Sequence, residues 1–205
     1  MGQEPETCLG TEYGLWRQKT SDLLSEAPPW RDPPERAIVT MGASDIAGLT
    51  PTVLRGFDGL GLRVDAVVGP GCPETQEQAI RDVSATVSAD VRVTRDPDDF
   101  PERMFQADIA VSTASSTTYE LLALGTPLVV VPIAENQTPI ATALREHDAA
   151  AVLDREAGSG AFRQAIEIYQ SNAMLRRDRR ERGRGVVDGQ GVERVGDAIS
   201  EVVEQ

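Results

Sequence analysis

The chain of 205 residues is short of several things, and each shortage excludes something. Lys19 is the only lysine and His147 the only histidine, so the basic side chains are otherwise arginines. There are two cysteines, Cys8 and Cys72, far apart and without a CxxC or histidine companion. That spacing suggests neither a zinc cluster nor a disulfide framework, and it fits a reducing, cytoplasmic setting. Aromatic residues make up 4%. No apolar run approaches the roughly 18 residues a membrane helix needs, and the opening "MGQEPETCLG" lacks the basic-then-apolar order of a signal peptide. Basic charge is scarce too: 20 basic against 33 acidic residues give a net charge of -13, which argues against nucleic acid or an anionic membrane as partner. The acids are spread along the chain, so they read as a solvated, self-repelling surface suited to a salt-rich, halophilic setting.

What is present is an ordered alternation. Residues 1–36 hold a short helical stretch, "TEYGLWRQKTSDLL", and then "SEAPPWRDPPER", whose four prolines cannot continue a helix. This segment reads as a strap or linker, with one domain over 37–205. Apolar runs at 37–41, 63–69, 90–94, 108–113, 127–133 and 149–153 alternate with helical stretches near 48–60, 74–86, 98–107, 115–125, 137–147 and 160–182. That rhythm predicts an α/β fold, a doubly wound, Rossmann-like parallel sheet of six strands in the order 3-2-1-4-5-6. "PLVVVPI" has no polar alternation and should be a central strand buried on both faces. A last amphipathic helix places Val192, Val195, Ile199 and Val202 on one stripe that should pack back on the domain. The basic run "RRDRRERGR" reads as an exposed helix end.

In such a sheet the ligand lies at the carboxyl ends of the strands. The loops there include "GASD", with Gly42 and Ser44, and "GPG", beginning at Gly69. Ser115, Ser116 and Thr117 stand at a helix start, where free amides and the helix dipole suit an anion such as a diphosphate. Glu120 shares their face and has two readings: an acceptor for ribose hydroxyls, or the far member of an S/T-x-x-E capping box. Glu135, Asn136 and Gln137 close an apolar strand. Asn136 could be the N-cap of the next helix, which leaves its two neighbours unexplained.

"MGASD", "VVGPG", "STASSTTYELLALGTPLVVV", "IAENQ" and "VVDGQGVERV" occur in an order that resembles the C-terminal half of the UDP-sugar hydrolases of the pseudaminic acid pathway (PseG or SpsG-like proteins). More distantly they resemble the C-terminal domain of the MurG-type GT-B glycosyltransferases. "GTEYGLWR" is similar to the segment that joins the two domains of those hydrolases. The resemblance implies a UDP or UDP-sugar ligand and no other cofactor. It implies that Ser115, Ser116 and Thr117 face the diphosphate, Glu120 the ribose, and the loop from Arg95 to Pro97 the uracil. Glu135, Asn136 and Gln137 would face the sugar, with Asn136, the candidate catalytic residue, close to the reacting centre. The family usually has glycine where Ala43 and Ser115 stand. Its N-terminal domain, with the histidine thought to activate water, has no counterpart here, and His147 reads as a helix end. The expected function is thus the nucleotide-sugar-binding half of a surface-polysaccharide or nonulosonic acid enzyme, completed by a missing catalytic domain in the same longer protein or a separate chain. Two other readings stand beside it: a subunit of a split GT-B glycosyltransferase, and a non-catalytic nucleotide-binding module.

Overall fold

The computed structural model describes residues 11–203. Cys8 and Gly10 lie outside the described residues. The chain enters through a 3-10 turn at Thr11–Tyr13 and a short helix α1 (Gln18–Leu23), then runs extended into strand β1 (Arg36–Thr40). From there strand and helix alternate: α2 (Thr50–Gly56), β2 (Arg63–Val68), α3 (Glu74–Ser84), β3 (Asp90–Arg95), α4 (Phe100–Gln106) and β4 (Ile109–Thr113). They continue as α5 (Ser116–Leu124), β5 (Leu128–Val131), a 3-10 turn at Glu135–Gln137, α6 (Thr138–Glu146) and β6 (Ala151–Val152). Three helices follow: α7 (Ser159–Ser171), α8 (Ala173–Val186) and α9 (Gly191–Val203).

The six strands form one parallel sheet in the order β3-β2-β1-β4-β5-β6, the predicted order. Because successive residues of a strand point to opposite faces, each strand feeds two cores. On one face Val39, Val64, Val111 and Val129 meet Leu54 of α2 and Phe57 just after it, Ile80 of α3, and Phe162 and Ile166 of α7. On the other, Ile38, Ala110 and Val130 meet Met104 and Phe105 of α4, Leu121 and Leu122 of α5, and Leu144 of α6. All of β5 is buried, as its unbroken apolar run requires, yet it lies one strand in from the edge, while the β1–β4 pair holds the centre. Helices on both faces give it that burial.

Three expectations change. The stretch 160–182 is two helices, because Asn172 leaves the helical region (φ -127°, ψ 86°) and its side chain accepts the Leu175 N–H to start α8. The arginine run is no solvated helix end: Arg176 is 1% exposed, and Arg176, Arg177 and Arg180 surround the Trp30 ring at 5.1, 4.9 and 5.0 Å. Arg176 also donates to Asp32 Oδ1 (2.9 Å) and to the carbonyls of Arg31 (3.2 Å), Gln170 (3.3 Å) and Tyr169. Farther along, Asp108 accepts the Arg31 guanidinium at 3.0 Å and the amides of Glu35 and Arg36, both at 2.9 Å. The proline-rich strap is therefore pinned onto α8 and the start of β4. Finally, α9 packs on the Thr11–Tyr13 turn, but its stripe does not turn inward: Val192, Ile199 and Val202 are exposed.

Candidate functional site

The loops after β1, β2 and β3 and the start of α5 after β4 surround a cleft of about 410 Å³. It lies over the β1–β4 pair, where the strand order reverses, which is where open α/β sheets hold ligands. Of the predicted residues, Gly42, Gly69, Pro97, Ser115, Ser116 and Thr117 line it together. Two glycines allow the loops to meet. Gly42 turns with φ +79°, and a Cβ on Gly69 would stand 2.4 Å from the Ala43 carbonyl oxygen and 2.5 Å from the Ala43 Cα. The Gly71 N–H donates to that same carbonyl at 2.9 Å, so the two loops are joined. Ser44 lies on this seam, facing the β2–α3 loop, outside the cleft lining.

Asp45, the last residue of "GASD", is buried and holds the start of α2, accepting the amides of Leu49 (2.9 Å) and Thr50 (3.1 Å). Ser115 has an extended backbone (φ -124°, ψ -174°), so a side chain is tolerated where the resembling family has glycine. No side chain caps α5, whose first turn opens on the cleft. Thr118 is buried with its hydroxyl on the Thr113 carbonyl at 2.9 Å, which leaves Ser115, Ser116 and Thr117 as the polar residues of that lip.

Glu120 is 3% exposed and is not part of a capping box. Its partners come from a hundred residues away, in the strap. Oε1 accepts the Thr20 hydroxyl at 2.8 Å and the Arg17 backbone N–H at 3.3 Å, and Oε2 accepts Arg17 Nη1 at 2.5 Å. The Arg17 guanidinium also lies 5.1 Å from the centre of the Phe100 ring. Glu120, Leu15, Trp16, Arg17 and Ser116 line a smaller hollow that adjoins the cleft through Arg17 and Ser116.

Arg95, expected beside a base, has its side chain engaged beneath the β2–α3 loop. Its Nε donates to Glu77 at 2.7 Å, Nη1 to the Pro70 carbonyl at 3.0 Å and Nη2 to the Cys72 carbonyl at 2.9 Å. The Arg81 and Arg95 guanidiniums hold the Glu77 carboxyl below its ordinary range. Burial, aided by the charge of Asp45, pushes the Cys72 thiol up, and the side chain is packed into the core.

The polar triplet after β5 splits. Gln137 turns back to accept the Ile133 N–H at 2.9 Å, Asn136 is exposed and caps no helix, and Glu135 lines a separate hollow of about 630 Å³ with Asp154, Arg155 and Glu156. The structure does not bring this triplet into the cleft that holds Ser115–Thr117. His147 is exposed at the C-cap of α6. Sequence reasoning missed Arg17 and Phe100 in the cleft wall. The only signal for Arg17 was its place in "GLWR". Among the described residues there is no group of acids, histidines and cysteines that could hold a metal ion, and no helix is long and apolar enough to cross a membrane.

Similar architecture recurs in solved glycosyltransferases. Acinetobacter baumannii MurG superposes with a TM-score of 0.68 at 18% identity, covering 98% of this chain and 57% of that one. CalG4, the calicheamicin glycosyltransferase, gives 0.63 at 19% identity, covering 87% of this chain and 45% of that one. VinC, a glycosyltransferase solved in complex with dTDP, gives 0.61 at 18%, covering 90% and 44%. The chain thus spans about half the length of these proteins. No family model matches it, and no curated protein sequence does. Together the sheet order and these likenesses define a Rossmann-like domain of the GT-B C-terminal type.

Proposed function

We propose that this domain binds a nucleotide sugar, with UDP as the preferred nucleotide, as the binding half of a UDP-sugar hydrolase of the PseG or SpsG kind. The observation that carries the reading is the 410 Å³ cleft at the strand-order reversal, bounded by the start of α5 at Ser115–Thr117. A diphosphate placed there meets the positive end of the helix dipole and three hydroxyls. Glu120 would take the ribose hydroxyls from the adjoining hollow, and the loop from Arg95 to Pro97 would border the base through its backbone and Pro97. Glu135 and Asn136 lie outside this cleft, so they would face the sugar where it extends beyond the diphosphate, with Asn136 near the reacting carbon, and Gln137 would join them only on leaving the Ile133 N–H.

In the full reaction water would attack that carbon and UDP depart, its developing negative charge stabilised at the α5 N-terminus. The residues that activate water would come from a second domain, in a longer form of this protein or in a separate chain. The likeness to proteins about twice as long supports that division. Calorimetric titration in high salt with UDP, GDP and CMP tests the reading, alongside Glu120→Gln. The expected result is tightest binding of UDP and at least a tenfold loss in the variant. Absence of nucleotide binding, or an affinity untouched by the variant, would overturn it.

A further inference from the structure

The cleft has a charge problem. The chain carries a net charge of -13, and a nucleoside diphosphate is itself an anion. The N-terminus of α5 offers only about half a positive charge. The cationic side chains around the cleft are largely committed elsewhere. Arg95 is spent on Glu77 and three loop carbonyls, and Lys19, whose Nζ donates to the Asp98 carbonyl at 2.8 Å, lies outside the cleft lining. Asp96 adds a negative charge to the lining, and among the described residues Arg17 is the one cationic side chain in it.

Arg17 is also placed to move. Its side chain is 51% exposed, although that of its partner Glu120 is 3% exposed. Only Nη1 of its guanidinium donates to a partner among the described residues, which leaves most of its five N–H groups uncommitted. Arg17 and Ser116 line both the hollow that holds Glu120 and the cleft that holds Ser115–Thr117, so Arg17 stands on the border between the two. Glu120 Oε1 is saturated by Thr20 and the Arg17 amide. Oε2 carries the guanidinium, and a sugar diol needs that oxygen.

We infer that Arg17 is an exchange residue of the nucleotide site, paired with Glu120 when the cleft is empty and transferred to the diphosphate when the ribose hydroxyls take its place on Oε2. This rests on the proposed nucleotide reading and deepens it. The exchange makes the two halves of the ligand depend on each other. A nucleoside without phosphates must break the Arg17–Glu120 pair and leaves a buried carboxylate with weaker, uncharged donors. A nucleoside diphosphate breaks the same pair and gives the guanidinium a new anion, with the planar fork that suits phosphate oxygens. Selectivity for the phosphorylated form is then built into the contact that closes the empty site.

The test is a set of titrations of uridine, UMP and UDP against the wild type, Arg17→Gln and Arg17→Lys, with thermal melts to establish that each variant is folded. In the wild type UDP is expected to bind at least a hundredfold more tightly than uridine. In Arg17→Gln that ratio falls tenfold or more, because UDP weakens while uridine is unchanged or binds more tightly. Arg17→Lys, which keeps the charge, retains most of the preference. If UDP and uridine weaken by the same factor, or neither changes, Arg17 is a structural tie and the exchange is wrong although the nucleotide site stands. If the wild type binds neither, the nucleotide reading fails and the exchange falls with it.

Discussion

Replacing Arg176 by methionine tests how the strap is fastened. Arg176 is 1% exposed, so methionine keeps most of the buried volume while removing every polar contact. The carbonyls of Arg31, Tyr169 and Gln170 lose a charged donor, and Trp30 loses one of three cations against its ring. A carbonyl left without its donor costs about 1 kcal/mol at the low end, so three come to about 3 kcal/mol. The lost cation–π contact adds about 1 kcal/mol. Against this, a buried charge no longer has to be desolvated, which returns on the order of 1–2 kcal/mol. The net expectation is a loss of about 2–3 kcal/mol, or roughly 1 M in the urea midpoint at a slope of about 2–3 kcal/mol/M. Urea melts at fixed high salt measure it. Trp30 fluorescence in a Trp16→Phe background should also become more accessible to acrylamide. A midpoint within about 0.2 M of wild type, or above it, would refute the view that the arginine run clamps the strap.

Two further predictions concern the cleft loops and the last helix. Gly69→Ala places a methyl against the Ala43 backbone, which cannot swing away as a side chain would; we expect a loss of about 1–3 kcal/mol and altered backbone amide shifts at Gly42–Ser44, and a variant as stable as wild type would mean that the two loops slide freely. Asp188 is held down to about 2 by the Arg194 guanidinium and then by the Gln190 N–H. Since its folded value lies below the ordinary value of about 3.9, its contribution is present above that value and is lost as pH falls towards 2. Amide protection factors at the start of α9, corrected for the pH dependence of intrinsic exchange, should therefore fall between about pH 4 and pH 2 in the wild type, and should fall less over that range in Asp188→Asn.

The sheet was readable because its strands are short apolar runs closed by Gly, Pro, Ser or Asp, and its order is the one usual for a doubly wound sheet of six strands. Long-range contacts were less readable. Glu120 offered two local readings, and the structure supplies a third, because Arg17 and Thr20 leave no trace in the periodicity around Glu120. The cleft-lining positions Ser115–Thr117 were visible, since a helix start after a parallel strand points to the carboxyl edge whatever else packs around it. The direction of Arg95 was not, because sequence places a residue in a loop without saying which way its side chain turns. The stripe on α9 misled for a related reason: three-and-four spacing says that a helix has an apolar face, not which surface covers it. Asn172 shows the limit for boundaries, as one polar residue divides what the surrounding helix formers made look continuous.

The strand order also governs how the molecule comes together. β1, β2 and β3 can pair by local steps, and so can β4, β5 and β6, but the β1–β4 seam joins residues such as Ile38 and Ala110, about seventy positions apart, at a loop-closure cost. The cleft draws its walls from both sides of that seam and exists only once it has closed. Whatever fills the cleft is a rivet through two folding units. It retards their parting and does nothing to hasten their meeting, so a ligand would lengthen the life of the native state while leaving the refolding rate unchanged.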